Sequence, residues 1–513
     1  MVFPSLGCHT CKRRRVKCDS IHPVCGRCRK AERDCTWDSD GQTGLAFKSE
    51  NAFAQGQPRR PRRMTREQQP VARSRVLTAG SPSPSASPSA IQRALSFPLE
   101  IHALNCWMKY FVTRPDELPE VGHEYFTHVL PLWEDAAPDS CIYLALAAVS
   151  HAAFGRARQT DKAIEDAVRL YTRTIAKTND EIRSPPDDGL DQLIMSIMLL
   201  GFYENIMHGI KNSCKDAIPS RGASGLLELR RNRGLAPNLA LDRVVRRQII
   251  RIIILRGNTV PESFHDGAEF GEEGPALVLD SLMVRVANLR ARCRAFLRDN
   301  QLDALDRFEK AKEIGGEAQQ LDAALDSWSD AVPDEWRFSA RPLAASSSAP
   351  DSDPPPTGYV HHYASHAHAT MWNRYRAVRL ITNSIRMRVV ELLVGNAFKR
   401  SCVLLQQRLS QNNINRLTDE LCACVPFFSS GVDAHGPCGE RSLQGAEVSG
   451  PSLHSTVLPK MAGLLAWPLA VAVSTEAVPE PQRQWLERKL KIVASSLGDS
   501  ILESVAEKRE FRF

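Results

Sequence analysis

From about residue 97 onward, apolar residues recur every three or four positions, the spacing that lines one face of a helix. This period predicts helices over residues 99–112, 140–157, 160–183, 189–209, 240–256, 277–299, 302–328, 361–395, 397–411 and 482–508. Proline and glycine punctuate the gaps, at Pro115, Pro185-Pro186, Pro219, Gly257, Pro333, Pro354-Pro355-Pro356 and Pro451. Alternating β-branched runs are nearly absent. The pattern predicts one large all-α domain over 97–513, with disordered insertions near 340–357 and 428–455. Met461 to Val473 carries no charge, but it is 13 residues long and contains Pro468. A membrane span needs about 20 residues, so this stretch is expected to be a buried helix, broken at the proline. No membrane partner is expected.

Ahead of residue 97 the pattern changes. Residues 36 to 96 are rich in Gly, Gln, Ser, Pro and Arg and hold no helical period. Ser81 to Ser89 is a Ser/Pro tract that cannot pack a core. A disordered basic linker is expected over 41–96. Its Ser-Pro steps are phosphorylation candidates, a plain spacer being the simpler reading. Arg59-Arg60-Pro61-Arg62-Arg63, with Arg66, has the composition of a nuclear import signal or of an arm that reaches phosphates. Solvated linker charge is the alternative.

Charge sharpens this division. Residues 1–40 hold nine Lys or Arg against five acids, and residues 41–97 hold nine against two. The whole 513-residue chain carries +7, so residues 98–513 sum to −4. The basic surface belongs to the N-terminus and a near-neutral body follows it.

Residues 1–40 carry neither period, and their organisation comes from Cys8, Cys11, Cys18, Cys25, Cys28 and Cys35. The unit Cys-x2-Cys-x6-Cys occurs twice, joined by a loop that holds Pro23. Two thiolates three residues apart can grip one metal ion from a single turn, and the third returns along the next segment. Six thiolates close tetrahedra around two zinc ions if two sulfurs bridge. A disulfide framework would call for a secreted chain, and Met1 to Gly7 holds no apolar signal core. A metal buffer has no use for Lys12-Arg13-Arg14-Arg15-Val16-Lys17 between its ligands. A segment this short buries too little to fold unaided. Zinc binding, on the order of 10–16 kcal/mol for structural sites, would supply the folding free energy. The other eight cysteines (106, 141, 214, 293, 402, 422, 424 and 438) are scattered as free thiols are.

Residues 8 to 35 resemble the fungal binuclear zinc cluster DNA-binding domain in all six cysteines, the basic run after the second, and the proline before the fourth. The resemblance implies a small metal-stapled two-helix fold. It implies that Cys8 and Cys25 bridge, that Cys11 and Cys18 complete one zinc site, and that Cys28 and Cys35 complete the other. It further implies that the first helix enters the major groove end-on over a CGG-like triplet. Arg14 and Arg15 align with the family's base-reading pair, and a guanidinium can contact guanine O6 and N7 together. Many members carry lysine there, which leaves the preferred base open. Lys12, Arg13, Lys17, Arg27, Arg29 and Lys30 would hold phosphates.

The body resembles, more diffusely, the regulatory domain found downstream of fungal zinc clusters. The matching stretches are Ser220-Arg221-Gly222-Ala223 with Leu226-Leu227, Trp372-Asn373-Arg374-Tyr375-Arg376, and Ala466-Trp467-Pro468-Leu469 with the helix from Arg483 through Leu490. Together the resemblances imply a nuclear, zinc-dependent transcription regulator. It would act on RNA polymerase II promoters in nutrient use, drug response or a biosynthetic gene cluster, and contact transcriptional co-regulators. The alternative is a co-regulator that uses the cluster to dock protein. No heptad run follows Cys35, so the chain acts as a monomer or forms a homodimer through its body.

No catalytic motif emerges: there is no Gly-rich phosphate loop, no G-x-S-x-G elbow and no strand–helix alternation. His361, His362, His366 and His368 form a tract in which His362 and His366 could share a metal on a helix face. A polar helix start is the simpler reading. Cys422-Ala423-Cys424 is expected to be a pair of buried thiols. Leu321 to Trp336 mixes acids with Leu and Trp, as activation segments do, yet its spacing favours a half-buried helix. Arg243 to Arg256 could face an anionic surface, although its Ile/Val/Leu stripe favours the core.

Overall fold

The computed structural model describes residues 8–14, 16–21, 23–36, 98–113, 124–185, 187–207, 218–343, 353–393, 400–429 and 457–508. The chain divides into two units, Met1–Ser85 and Ala86–Phe513.

The first unit holds two short helices, α1 (His9–Arg14) and α2 (Gly26–Lys30), built around the cysteines. The second unit is mostly helical. In chain order come α3 (Leu99–Tyr110), α4 (Val129–Glu134), α5 (Cys141–Arg158), α6 (Asp161–Arg183), α7 (Leu190–Met207), α8 (Ile218–Asn232), α9 (Leu239–Arg256), α10 (Gly274–Arg298) and α11 (Ala304–Ala331). A two-stranded ribbon follows, β1 (Ser339–Pro342) antiparallel to β2 (Tyr359–His362), with Ser339 opposite His362. Then come α12 (His366–Leu393), α13 (Arg400–Ser429), α14 (Pro459–Val473), α15 (Glu480–Leu497) and α16 (Ser500–Lys508).

Packing follows chain order closely. Helix α5 packs on α3, α6 and α7, and α8 packs on α7. Helices α10, α11 and α12 form a second layer that α13 and α14 extend, and α15 and α16 close the chain back onto α14 and α7. One continuous apolar core joins these layers, from Trp107 to Ala506. Trp107, Phe111, Phe126 and Phe202 seed one end of it, with Trp107 and Phe111 stacked at 4.2 Å. Helix α6 shows how period sets burial: Ala163, Ala167, Thr174 and Thr178 are buried on one stripe while its charges face outward.

Caps fix several boundaries. Ser140 accepts the Tyr143 N–H at 3.3 Å to start α5. Asn238 accepts the Leu241 N–H at 3.2 Å to start α9, and Asp303 accepts from Leu305 and Asp306 to start α11. Gly257 ends α9 in the left-handed region at φ 64°, and a Cβ there would meet Arg294 at 2.8 Å.

Several expectations need correction. The body is not purely helical, because residues 340–342 and 361–362 belong to the ribbon. Its strands are too short to show an alternation in the sequence. Helix α12 therefore starts at His366, five residues later than the period implied. Pro219 does not lie in a gap between helices; it sits in the first turn of α8, a helix the expected set did not include, where a missing N–H costs nothing. Pro468 does not break α14, which runs from Pro459 to Val473 inside a shell of buried apolar neighbours. Packing outweighs the lost hydrogen bond there. The expected helix over 482–508 is two, parted at Gly498 with φ 66°. Helix α13 runs on to Ser429, well past residue 411. The 41–96 linker, its Ser/Pro tract and its arginine cluster lie outside the described residues, as do 344–352 and 430–455 of the two expected insertions, while residues 428–429 of the second belong to α13. Among the described residues no helix is long and apolar enough to cross a membrane.

Candidate metal centre and nucleic-acid interface

The two Cys-x2-Cys units fold alike, which places their sulfurs face to face. In the first, the Cys11 N–H points at Cys8 Sγ at 3.4 Å; in the second, the Cys28 N–H points at Cys25 Sγ at 3.4 Å. Each leading cysteine thus caps the turn that carries its partner. Across the units, Cys8 Sγ lies 3.7 Å from Cys25 Sγ and 3.8 Å from Cys28 Sγ, and Cys11 Sγ lies 3.7 Å from Cys25 Sγ. A disulfide needs about 2.05 Å, and all six thiols are free. Zinc–sulfur bonds of about 2.3 Å at tetrahedral angles put sulfurs about 3.8 Å apart. The observed spacings match that geometry.

Two sets of four sulfurs converge, each within 4.8 Å: Cys8, Cys11, Cys18 and Cys25, and Cys8, Cys25, Cys28 and Cys35. Cys8 and Cys25 belong to both sets. Six thiols therefore offer two four-sulfur cages, and this donor set fits two zinc ions. Burial resists ionisation of Cys8 and Cys25, but the N–H groups of Cys11 and Cys28 and the hydrogen bonds from the neighbouring cysteine thiols together outweigh it and hold both thiols below the ordinary range. The shared sulfurs are the ones most readily supplied as thiolates.

The scaffold around the cage uses residues that spacing alone did not flag. Asp19 Oδ2 accepts the Gly26 N–H at 2.8 Å and so caps α2. A Cβ at residue 26 would come within 2.5 Å of that oxygen, which explains glycine there. Thr10 Oγ1 donates to the Asp34 carbonyl at 2.6 Å, tying α1 to the segment that delivers Cys35. The Cys25 N–H points at Cys35 Sγ at 3.3 Å. The visible signal for Asp19 was a carboxylate seven residues before a Gly at a helix start, which is weak without the fold.

The cationic residues stand outside this cage. Arg14, Lys17, Arg27, Arg29 and Lys30 are all exposed, on α1, the following segment and α2. Four buried cysteines underneath leave these side chains no interior to enter. Arg15 lies outside the described residues, as do the Lys12 and Arg13 side chains.

Residues 6–43 match the fungal Zn(2)-Cys(6) binuclear cluster domain. The N-terminal module is a binuclear zinc cluster domain. Curated relatives align over the same region. An uncharacterized transcriptional regulatory protein of Schizosaccharomyces pombe is 51% identical over 35 residues, 7% of each chain. Sterol uptake control protein 2 of Candida albicans is 66% identical over 29 residues, 6% of this chain and 4% of its own. Transcription factor lfc1 of Flammulina velutipes is 48% identical over 31 residues, 6% of this chain and 11% of its own. The chain thus covers about a tenth or less of the relatives it matches. No solved structure matches it significantly.

The other candidates resolve into structural roles. His361 and His362 lie on β2 while His366 opens α12, so His362 and His366 do not share a helix face. His361 is buried against Tyr363 Oη at 3.2 Å, and burial beside Arg376 pushes it down to about 3. His366 packs on the Phe427 ring at 4.8 Å, and His368 meets Ser365 Oγ at 3.1 Å. Among the described residues the grouped metal donors are the cluster cysteines. Cys422 and Cys424 are buried, and burial pushes both thiols up. In the Leu321–Trp336 stretch, Leu321, Asp322, Leu325 and Trp328 are buried in α11.

The Arg243–Arg256 stretch departs further from expectation. Its apolar stripe packs inward, as its period implied, yet Arg243, Arg246, Arg247 and Arg251 are buried too. Arg246 makes a two-bond pair with Asp280 at 2.7 and 2.8 Å. Arg247 pairs with Glu272 at 2.5 and 2.6 Å, and Arg251 with Glu124 at 2.7 and 2.8 Å. These charges are spent inside the body and are not offered to an anionic surface.

Proposed function

We propose that this protein is a zinc-dependent, sequence-specific DNA-binding transcription regulator acting on RNA polymerase II promoters in the nucleus. The observation that carries the reading is the pair of four-sulfur cages sharing Cys8 and Cys25, within a segment that matches the binuclear cluster domain. On this reading Cys8 and Cys25 bridge the two zinc ions. Cys11 and Cys18 complete one site, and Cys28 and Cys35 complete the other. The exposed cations around the cage supply the phosphate-binding charge. Arg14 and Arg15 read base edges, and Lys12, Arg13, Lys17, Arg27, Arg29 and Lys30 clamp phosphates. The working division is a DNA-binding module over 1–40, a basic linker over 41–96 and a regulatory body over 97–513.

The names of the matched relatives, two of them transcriptional regulators and one a control protein for sterol uptake, support the class of function. Nutrient use, drug response and biosynthetic gene clusters are the fields in which such a regulator would act. Selection of random duplex DNA by the full chain, with zinc and with a chelator, tests the proposal. Zinc-dependent enrichment of one short GC-rich triplet is expected. A zinc-loaded chain that enriches nothing would favour the protein-docking alternative.

A further inference from the structure

The turn between α6 and α7 presents a hydroxyl that the fold does not use. Helix α6 stops at Arg183, and Ser184 takes φ −143° and ψ 74°, off the helix. Pro185 enforces this stop, because its ring bars the helical conformation to the residue before it. Ser184 is exposed, and its Oγ makes no hydrogen bond to any described residue. Serines elsewhere in the body are engaged: Ser196, Ser281 and Ser327 each donate to a carbonyl one helical turn back, and Ser140 caps α5. Ser184-Pro185 is also the only Ser-Pro or Thr-Pro step among the described residues.

Two arginines flank this hydroxyl. Arg183 is 77% exposed at its side chain and pairs with Asp180 at 2.9 Å. Arg233, just past the end of α8, reaches across from another helix. Its Nη1 donates to the Pro185 carbonyl at 3.0 Å and to Asp187 Oδ1 at 2.9 Å. Its Nε and Nη2 donate to no described residue. A guanidinium with unused donors is thus already anchored on the residue next to Ser184. The acids of the turn are Asp180, Asp187 and Asp188, and the first two are paired with these arginines.

We propose that Ser184 is a phosphorylation site for a proline-directed serine kinase, and that Arg183 and the unused donors of Arg233 hold its phosphate. The Ser184 oxygen bonds to the γ-phosphorus of ATP, the bond from that phosphorus to the β–γ bridging oxygen breaks, ADP leaves, and the hydroxyl proton passes to the kinase's base. The product carries a charge of about −1.5 to −2 and three strong acceptors. The C-terminal end of α6 disfavours that charge, and two charge-assisted pairs outweigh it. The clasp ties the end of α6 to the end of α8. The proposal is independent of the DNA-binding reading.

The test treats the full zinc-loaded chain, and a peptide of residues 178–192, with a proline-directed kinase and Mg-ATP. Tandem mass spectrometry locates the phosphate. It should appear on Ser184 in both, and be lost there in Ser184→Ala and in Pro185→Ala, which keeps the hydroxyl. The clasp is read by 31P NMR in a chain carrying Ser81→Ala, Ser83→Ala and Ser87→Ala, so that the Ser184 phosphate is observed by itself. A serine phosphate takes up its second proton near pH 6. In the folded chain this midpoint should lie about 0.2–0.7 below that of the phosphopeptide, which lacks Arg233. Arg233→Met, a change at an exposed side chain, should return it toward the peptide's. Phosphate on the peptide but not on the chain would overturn the site, as would phosphate on neither from a kinase active on its standard substrate. A chain midpoint equal to the peptide's and unmoved by Arg233→Met would overturn the clasp.

Discussion

Replacing Asp322 tests the physical account of the body most severely. This residue is 7% exposed, and four donors from two helices converge on its carboxylate. Arg379 Nε donates at 2.8 Å and Arg386 Nη1 at 2.9 Å; Asn383 and Asn413 donate at 2.7 and 3.0 Å. Asp322→Ala would leave two arginines, 3% and 6% exposed at their side chains, without their shared counter-charge. Arg379 keeps an exposed second partner in Asp326, while Arg386 keeps a neutral one in Gln406 at 2.6 Å. Breaking one buried pair costs about 3–5 kcal/mol. A body of roughly 400 residues unfolds with an entropy near 2.1 cal/mol/K per residue, so this loss lowers the midpoint by about 4–6 °C. The assay is thermal unfolding by circular dichroism. Replacing the charged members of the set, as Asp322→Leu with Arg379→Met and Arg386→Met, should recover most of the loss, because the uncompensated charge is the cost. A drop under about 1 °C for Asp322→Ala, or no recovery in the triple variant, would refute the reasoning.

Other predictions concern both units. Cys8→Ala should reduce bound zinc from two ions per chain to none, measured by elemental analysis, since its sulfur lies in both cages; retention of two ions would contradict the shared assignment. Arg14→Ala should cost about 1–3 kcal/mol at one base position and relax specificity there, whereas Lys30→Ala should weaken all sequences alike and flatten the salt dependence; uniform weakening by Arg14→Ala would reverse the assignment. Gly26→Ala should displace the Asp19 carboxylate from the α2 start, and with it a cap of about 1 kcal/mol, read as weaker zinc retention in chelator competition. Burial pushes Asp499 up to about 6 against the two N–H bonds it accepts from α16. A raised carboxyl binds its proton more tightly in the folded state, so stability falls as pH rises from about 4 to about 6. Asp499→Asn should flatten midpoint against pH across that window, and an unchanged slope would exclude this residue as the source.

Much of this was legible in the sequence because it rests on local rules. The cysteine spacing offered two turns with paired thiols, the resemblance implied which sulfurs are shared, and the structure brings the six sulfurs together. The apolar period located most long helices, α6 among them, because a solvent-facing helix must show its stripe. The signal failed where packing overrode local preference. Pro468 lies in a helix whose surroundings are so apolar that one missing N–H does not break it. The β1–β2 ribbon is too short to show a period, and Ser339 pairs with His362 across 22 intervening residues. The buried arginines of α9 and α12 misled in the other direction. Arg246 and Arg376 look like surface charge in sequence, and their partners, Asp280 and Glu420, lie 34 and 44 positions away. Asp19 and Thr10 were missed for the same reason: their roles exist only once two segments meet.

The central claim is that zinc folds a DNA reader at the N-terminus. In vitro selection by residues 1–75, run beside the full chain with zinc and with a chelator, measures it most directly. The account predicts a CGG-like triplet enriched with zinc and lost with chelator, with one half-site or two reporting whether the chain pairs on DNA. Two bound zinc ions per chain with no enrichment by either fragment or full chain would contradict it.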